Sequence, residues 1–190
     1  DDRGSHDQGA ECAGAESAGG AVDVIEDGRV LNGEPSPDDA RDFEFEGDQA
    51  VPLPERYLVA GMGPVLNQGN TGTCGGHAGI GLRQWQEKRD GHGVINGDPY
   101  ELYDLCKQVE GVTDPNRVLG TSCRTVLRVL KGSGTPLYSG GRDGKIQTYW
   151  RVAPTETQIK RAILTHGPQV VRCDWDRAWM RLPKNRIVPE

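Results

Sequence analysis

Gln68-Gly69-Asn70-Thr71-Gly72-Thr73-Cys74 sets an amide side chain six residues before a thiol, across a loop of glycines and small polar residues. A cysteine attacks a carbonyl as the thiolate, so its pKa must fall from about 8.5 towards neutrality or below. The N-terminus of a helix does part of this, because its unpaired N–H groups and dipole favour an anion. The developing oxyanion also needs donors aimed at it. The backbone N–H of Cys74 and the side-chain amide of Gln68 meet that need if the loop doubles back.

The elements around this loop follow from period and punctuation. Helical spacing of Ala78, Leu82 and Trp85 predicts a helix from Cys74 to Arg89 that stops at Asp90-Gly91. Asp98-Pro99-Tyr100-Glu101 opens a second helix, with an N-cap, Pro at N1 and Glu at N3, running to about Val109. Thr121 or Ser122 caps a third, with Val126, Leu127, Val129 and Leu130 as its apolar face and its end at Gly132. Thr155 starts a fourth, with Ile159, Ala162 and Ile163 inward, and Gly167-Pro168 stops it. Residues 170–175 read as a strand.

The chain has 190 residues, 35% of them hydrophobic, and a mean hydropathy of −0.63. This suits one domain with an appendage or a shortened two-lobed domain. Residues 1–50 hold 15 acidic side chains against 3 arginines, and the remainder holds 13 acidic against 19 basic. An acidic arm therefore precedes a mildly basic body, and their mutual attraction would weaken with salt. Residues 4–20 lack apolar period, whereas 22–31 suit a small hairpin. Val51-Pro52-Leu53-Pro54 is a rigid extended entry into the body. The arm is expected to rest on a partner surface or on its own body. No dense Lys/Arg cluster suggests a nucleic-acid groove, and no apolar run reaches the roughly 20 residues of a membrane span. No signal-peptide pattern follows Asp1, which suggests a processed chain or a fragment. Five cysteines at irregular spacing, with no CxxC pair, give no disulfide framework, and no metal or cofactor is expected. Cys106 with Cys123 is the one pairing to test against the preferred reading of small buried thiols.

Gln-Gly, four residues, then Cys at a helix start resembles the nucleophile loop of papain-like cysteine peptidases. Gln68 and Cys74 match that family's oxyanion and nucleophile positions, and Gly69 and Gly72 match the loop glycines. Glu101-Leu102-Tyr103-Asp104 resembles the second helix of the family. Leu119-Gly120-Thr121 resembles its substrate-backbone strip, and Ile159 to Val171 resembles the entry to its second lobe, so the similarity covers about residues 52–180. The resemblance implies an α+β, papain-like fold: a helical lobe carrying the nucleophile helix, plus the start of a β-rich lobe, over residues 51–190. Residues 1–50 form the extended arm or a pro-segment-like extension. It also implies peptide-bond hydrolysis through a Cys74 thioester, with Gln68 in the oxyanion hole and Gly72 and Gly120 beside the substrate.

Three departures matter. Gly75 stands where the family has an aromatic residue, and Thr71 where it has a cysteine. The general-base histidine should lie about 130 residues or more downstream, yet 116 residues follow Cys74, so the chain is expected to stop before it. His77 reads as a buried, hydrogen-bonded ring, His166 as a C-terminal helix residue favoured by the dipole, His92 as a loop residue and His6 as incidental. Trp150, Trp175 and Trp179 could line a groove but read more readily as core. Gly120 reads slightly better as a helix-entry glycine than as a substrate contact.

Three functions compete. The first is a papain-like peptidase acting on a peptide or protein substrate, inactive in this chain if it lacks its base. The second is a non-catalytic docking module, because Gly75-Gly76-His77-Ala78 resembles divergent phage and bacterial papain-like sequences. That reading implies a virion or assembly component, virion-associated or secreted, whose arm contacts another subunit. The third is similar to the leader peptidases of bacteriocin exporters, which also place Gln six before Cys and Gly after it, although the Asp98 helix and the Gly120 region fit them less well.

Overall fold

The computed structural model describes residues 23–24, 30–31, 33–47, 49–113 and 120–173. Among these, the elements run β1 (Asp23–Val24), β2 (Val30–Leu31), α1 (Cys74–Arg89), α2 (Pro99–Val109), α3 (Cys123–Ser133), β3 (Thr135–Pro136), β4 (Arg142–Asp143) and α4 (Glu156–His166). Two antiparallel ladders, β1–β2 and β3–β4, are the only sheets among the described residues. The first gives the hairpin expected near 22–31.

Helix ends follow local chemistry. Asp98 accepts from the N–H groups of Tyr100 at 2.9 Å and Glu101 at 3.0 Å, with Pro99 at the first helical position. Ser122 caps α3 through Thr125 N–H at 3.1 Å. Thr155 caps α4, and Gly167 ends it at φ +86°, a conformation that favours glycine.

The core is built where α1, α2 and α3 meet: Ile80, Leu102, Cys106, Val126, Val129, Leu130 and Ile146. The α1 face differs from the apolar period. Ala78 is exposed and Leu82 only half-buried, while Gly76, Gly79, Ile80 and Arg83 are buried. The cause is close helix approach. A Cβ at Gly79 would lie 2.7 Å from Val126 Cγ1 and 2.9 Å from Leu102 Cδ2, and one at Gly76 would overlap the Pro99 carbonyl oxygen. Glycine is thus the contact surface, so hydrophobicity does not mark it. In α4, Ala162 is buried as expected, but Ile159 is exposed. Residues 170–173 carry no strand, and 174–175, like Trp175, Trp179, Cys12, His6 and Leu119, lie outside the described residues.

Two cationic side chains buried beside this core are paired, as burial of charge requires. Arg83 donates to Thr135 Oγ1 at 2.9 Å and to Gln86 Oε1 at 2.8 Å, and pairs with Glu87. Lys107 sits 2% exposed with Nζ 2.8 Å from Glu110 Oε2.

The described part of the acidic arm, residues 33–47, lies on its own body. The Phe45 N–H donates to the Arg151 carbonyl at 2.9 Å, and Arg151 N–H donates to the Phe43 carbonyl at 2.8 Å. Arg161 donates to the carbonyls of Val51 at 3.1 Å and Gln49 at 3.2 Å. No helix among the described residues is long and apolar enough to cross a membrane.

Candidate active site

Cys74 is the first residue of α1, half-buried, with Thr73 as N-cap. Of the four helices among the described residues, α1 alone has an N-cap that accepts no side-chain hydrogen bond from the first turn. It also has no acidic residue in that turn. The positive end of the α1 dipole thus lies at the Cys74 position with no carboxylate in the first turn. The Thr73 hydroxyl turns instead to Thr71 Oγ1 at 2.7 Å and His77 Nδ1 at 3.2 Å.

The loop ahead of the thiol doubles back. Thr71 donates to the Gln68 carbonyl through its N–H at 3.4 Å and its hydroxyl at 2.7 Å. The Gln68 amide in return donates to the Thr71 carbonyl at 2.8 Å. Gly69 takes φ +59°, and its N–H meets Asn67 Oδ1 at 2.9 Å. A primary amide carries two N–H groups, so the bond to Thr71 fixes the Gln68 side chain while leaving a second donor. Gly72 is buried immediately before Thr73.

Gly120 is buried at φ +89°, and its N–H donates to the Tyr103 hydroxyl at 3.2 Å. Its amide is thus engaged within the body. The next residue, Thr121, donates its hydroxyl to Glu110 Oε1 at 2.5 Å, and Lys107 neutralises the other oxygen of that carboxylate. Thr121 also packs on α1, since a Cβ at Gly75 would lie 2.6 Å from Thr121 Cγ2. The glycine after Cys74, unexpected from the family pattern, is what admits this strip.

Period and motif did not mark Tyr103, Lys107 and Glu110 as strip supports. A Lys and a Glu three apart on a helix read as solvated, and only the fold buries them.

Burial pushes the Tyr103 phenol up to about 12, opposed by the Gly120 N–H and reinforced by the charges of Glu110 and Cys74. Burial likewise raises the Cys123 thiol, with Cys74 adding to the rise. Cys74, Tyr103 and Cys123 therefore share one electrostatic neighbourhood. Burial also pushes the Cys106 thiol from 9.0 to about 12, and both it and Cys123 are free thiols. The unfolded chain thus releases the Cys106 proton from about pH 9, while the folded chain holds it until about pH 12. Stability is expected to fall as pH rises through that window, by about 1.4 kcal/mol per unit. Urea midpoints should drop between about pH 8 and 10.5, and in Cys106→Ala the drop should shrink; an equal drop in both would contradict this.

The histidines are held elsewhere. His77 is buried, with Nδ1 2.9 Å from the Thr73 carbonyl, which places a proton on that nitrogen, and its ring meets Tyr100 edge-on at 5.1 Å. His92 Nδ1 lies 2.7 Å from Glu87 Oε2, at the opposite end of α1 from Cys74. His166, in the last turn of α4, packs between Phe45 at 5.5 Å and a half-exposed Trp150 at 5.0 Å. Among the described residues no group of three or more His, Cys, Asp or Glu could hold a metal ion.

No family model matches the sequence, and no curated protein matches it. The structure is similar to that of xylellain, a cysteine protease from Xylella fastidiosa, at TM-score 0.58 and 18% identity over 72% of this chain. The matched part spans 63% of the xylellain chain. Among the described residues the regular structure is chiefly helical, with small two-stranded ladders, and it resembles the papain-like fold of that protein.

Proposed function

We propose that this chain carries the nucleophile half of a papain-like cysteine peptidase site. Cys74 attacks a peptide carbonyl, Gln68 and the Cys74 N–H hold the oxyanion, and Gly72 and the Gly120–Thr121 strip flank the substrate. One observation carries the reading most: the thiol starts an α1 whose first turn has neither a side-chain cap nor a carboxylate, behind a loop that fixes the Gln68 amide. The similarity to a cysteine protease fold supports it.

In the acylation step the thiolate forms a C–S bond and the carbonyl π pair moves to oxygen. Collapse then breaks the bond to the leaving group. An amine must take a proton as it leaves, and this reading assigns that proton to none of His77, His92 or His166, given the partners that hold them. An activated ester leaves as a stable anion and needs no such proton. Acylation by a p-nitrophenyl ester of a blocked peptide therefore isolates what Cys74 and Gln68 do. Gln68→Ala is expected to slow that acylation by about 10²–10³-fold, as losing one oxyanion donor does. An unchanged rate would remove Gln68 from the site.

The assembly reading, with its virion-associated or secreted location, predicts an arm that reaches another subunit. Residues 33–47 instead spend their hydrogen bonds and charges on their own body, which counts against it.

A further inference from the structure

A carboxylate at the C-terminal end of a helix works against the helix dipole, yet Glu110 is the C-cap of α2. The stability of α2 alone does not account for it, and its partners do. Lys107, 2% exposed, places Nζ 2.8 Å from Oε2 of Glu110 and 5.5 Å from the centre of the Tyr103 ring. The other carboxylate oxygen, Oε1, accepts the Thr121 hydroxyl at 2.5 Å. Threonine carries its hydroxyl and its methyl on one Cβ, so holding the first orients the second. The Thr121 methyl then occupies the space that a side chain at Gly75 would need, next to Cys74. One residue earlier, the Tyr103 hydroxyl accepts the Gly120 N–H at 3.2 Å. Tyr103, Lys107 and Glu110 are four and three residues apart, so one face of α2 grips two consecutive residues of the strip.

We infer that Glu110 is a positioning residue, which acts through the Thr121 hydroxyl to set where an extended polypeptide backbone lies along the Gly120–Thr121 strip. That this backbone is a substrate rests on the proposed function. Lys107 keeps the carboxylate aimed, because a charge pair withdrawn from water needs strict geometry. Without Glu110, Thr121 turns about its χ1 and its methyl leaves Gly75, so the strip loses its register on α1. The Gln68 loop is closed by its own bonds to Thr71 and is unaffected. Glu110 therefore acts on binding far more than on the chemical step.

The test reads binding and chemistry apart. The full chain with Cys74→Ala is titrated against a blocked, fluorescein-labelled hexa-alanine peptide and followed by anisotropy, so that mainly backbone is offered and nothing is cleaved. Glu110→Ala alone would leave the Lys107 charge buried and unpaired. It is therefore combined with Lys107→Met, since buried ion pairs are often replaced by apolar residues without loss of stability. This combination is expected to weaken peptide binding about tenfold. Thr121→Val, which removes the hydroxyl and leaves the Lys107–Glu110 pair intact, should do the same. All three changes together should weaken it no further, because they break one and the same bond. Glu110→Gln with Lys107→Met keeps an acceptor for Thr121 and should recover most of the loss. In protein that retains Cys74, Glu110→Ala with Lys107→Met should raise the KM of a peptide p-nitrophenyl ester about tenfold, and lower its acylation rate at saturation less than about threefold. Unchanged peptide binding in Thr121→Val would overturn the inference. So would losses at Glu110 and Thr121 that simply add, or a Cys74→Ala chain that binds no peptide. Failure of the peptidase reading would appear instead as absence of acylation in protein that retains Cys74, with the peptide-binding result left standing.

Discussion

Cys74→Ala is expected to abolish acylation by activated peptide esters, a loss on the order of 10⁴-fold or more, because no other group substitutes for an absent nucleophile. The remaining thiols are poor replacements. Burial raises both Cys106 and Cys123, which leaves little thiolate at neutral pH. Cys173 is exposed but follows α4, away from the Gln68 loop in the chain. Intact-mass measurement after a single exposure to the ester should show one acyl group on the parent and none on the variant. An acyl group retained by Cys74→Ala would place the reactive thiol elsewhere.

The largest stability effect is expected at Gly76. Alanine normally favours a helix over glycine by about 1 kcal/mol, yet here the added methyl would overlap the backbone carbonyl oxygen of Pro99 and press on Tyr103 Cβ. A carbonyl at the first position of α2 cannot swing aside as a side chain can. Overpacking of this kind costs about 1–3 kcal/mol and more where backbone must move. We expect Gly76→Ala to lose about 3 kcal/mol net, a large part of the roughly 5–15 kcal/mol that usually separates folded from unfolded chains. Gly81, on the same helix, has open space around it, with nothing within 4 Å of where an added methyl would stand. Gly81→Ala should therefore stabilise by up to about 1 kcal/mol. Urea titration of the two variants gives opposite signs if α1 packs through its glycines, and the same sign if it does not.

What could be read from sequence was local. Asp98-Pro99, Ser122 and Thr155 announce helix starts because their side chains act within three residues, and each start lies where expected. The thiol at a helix start behind a doubled-back loop was legible for the same reason. The face of α1 was not, because its burial comes from helices α2 and α3, distant in sequence, and glycines serve as the contact. Ala78 and Leu82 kept the right period on the wrong face. Ile159 in α4 failed in the same way. The Lys107–Glu110–Thr121 and Tyr103–Gly120 bonds join residues on α2 to the strip before α3, which no period reports. The charge contrast between arm and body was plain in composition. Its resolution into Asp38 on Arg151 and Asp42 on Arg124, with Asp39 held first by Arg41 of the arm itself, required the fold.

The most direct measurement is the pH dependence of iodoacetamide labelling at Cys74, resolved by peptide mapping, with a free model thiol labelled in parallel as the reference. An ordinary thiol loses about tenfold in rate per pH unit below about 8.5, whereas a thiolate stabilised at a helix N-terminus keeps its rate well below neutrality. The expected result is a Cys74 rate that changes little between about pH 8 and 6 while that of the free model thiol falls about a hundredfold. A Cys74 rate that falls in parallel with that of the free thiol would show that α1 does not activate the thiol, and would contradict the nucleophile assignment.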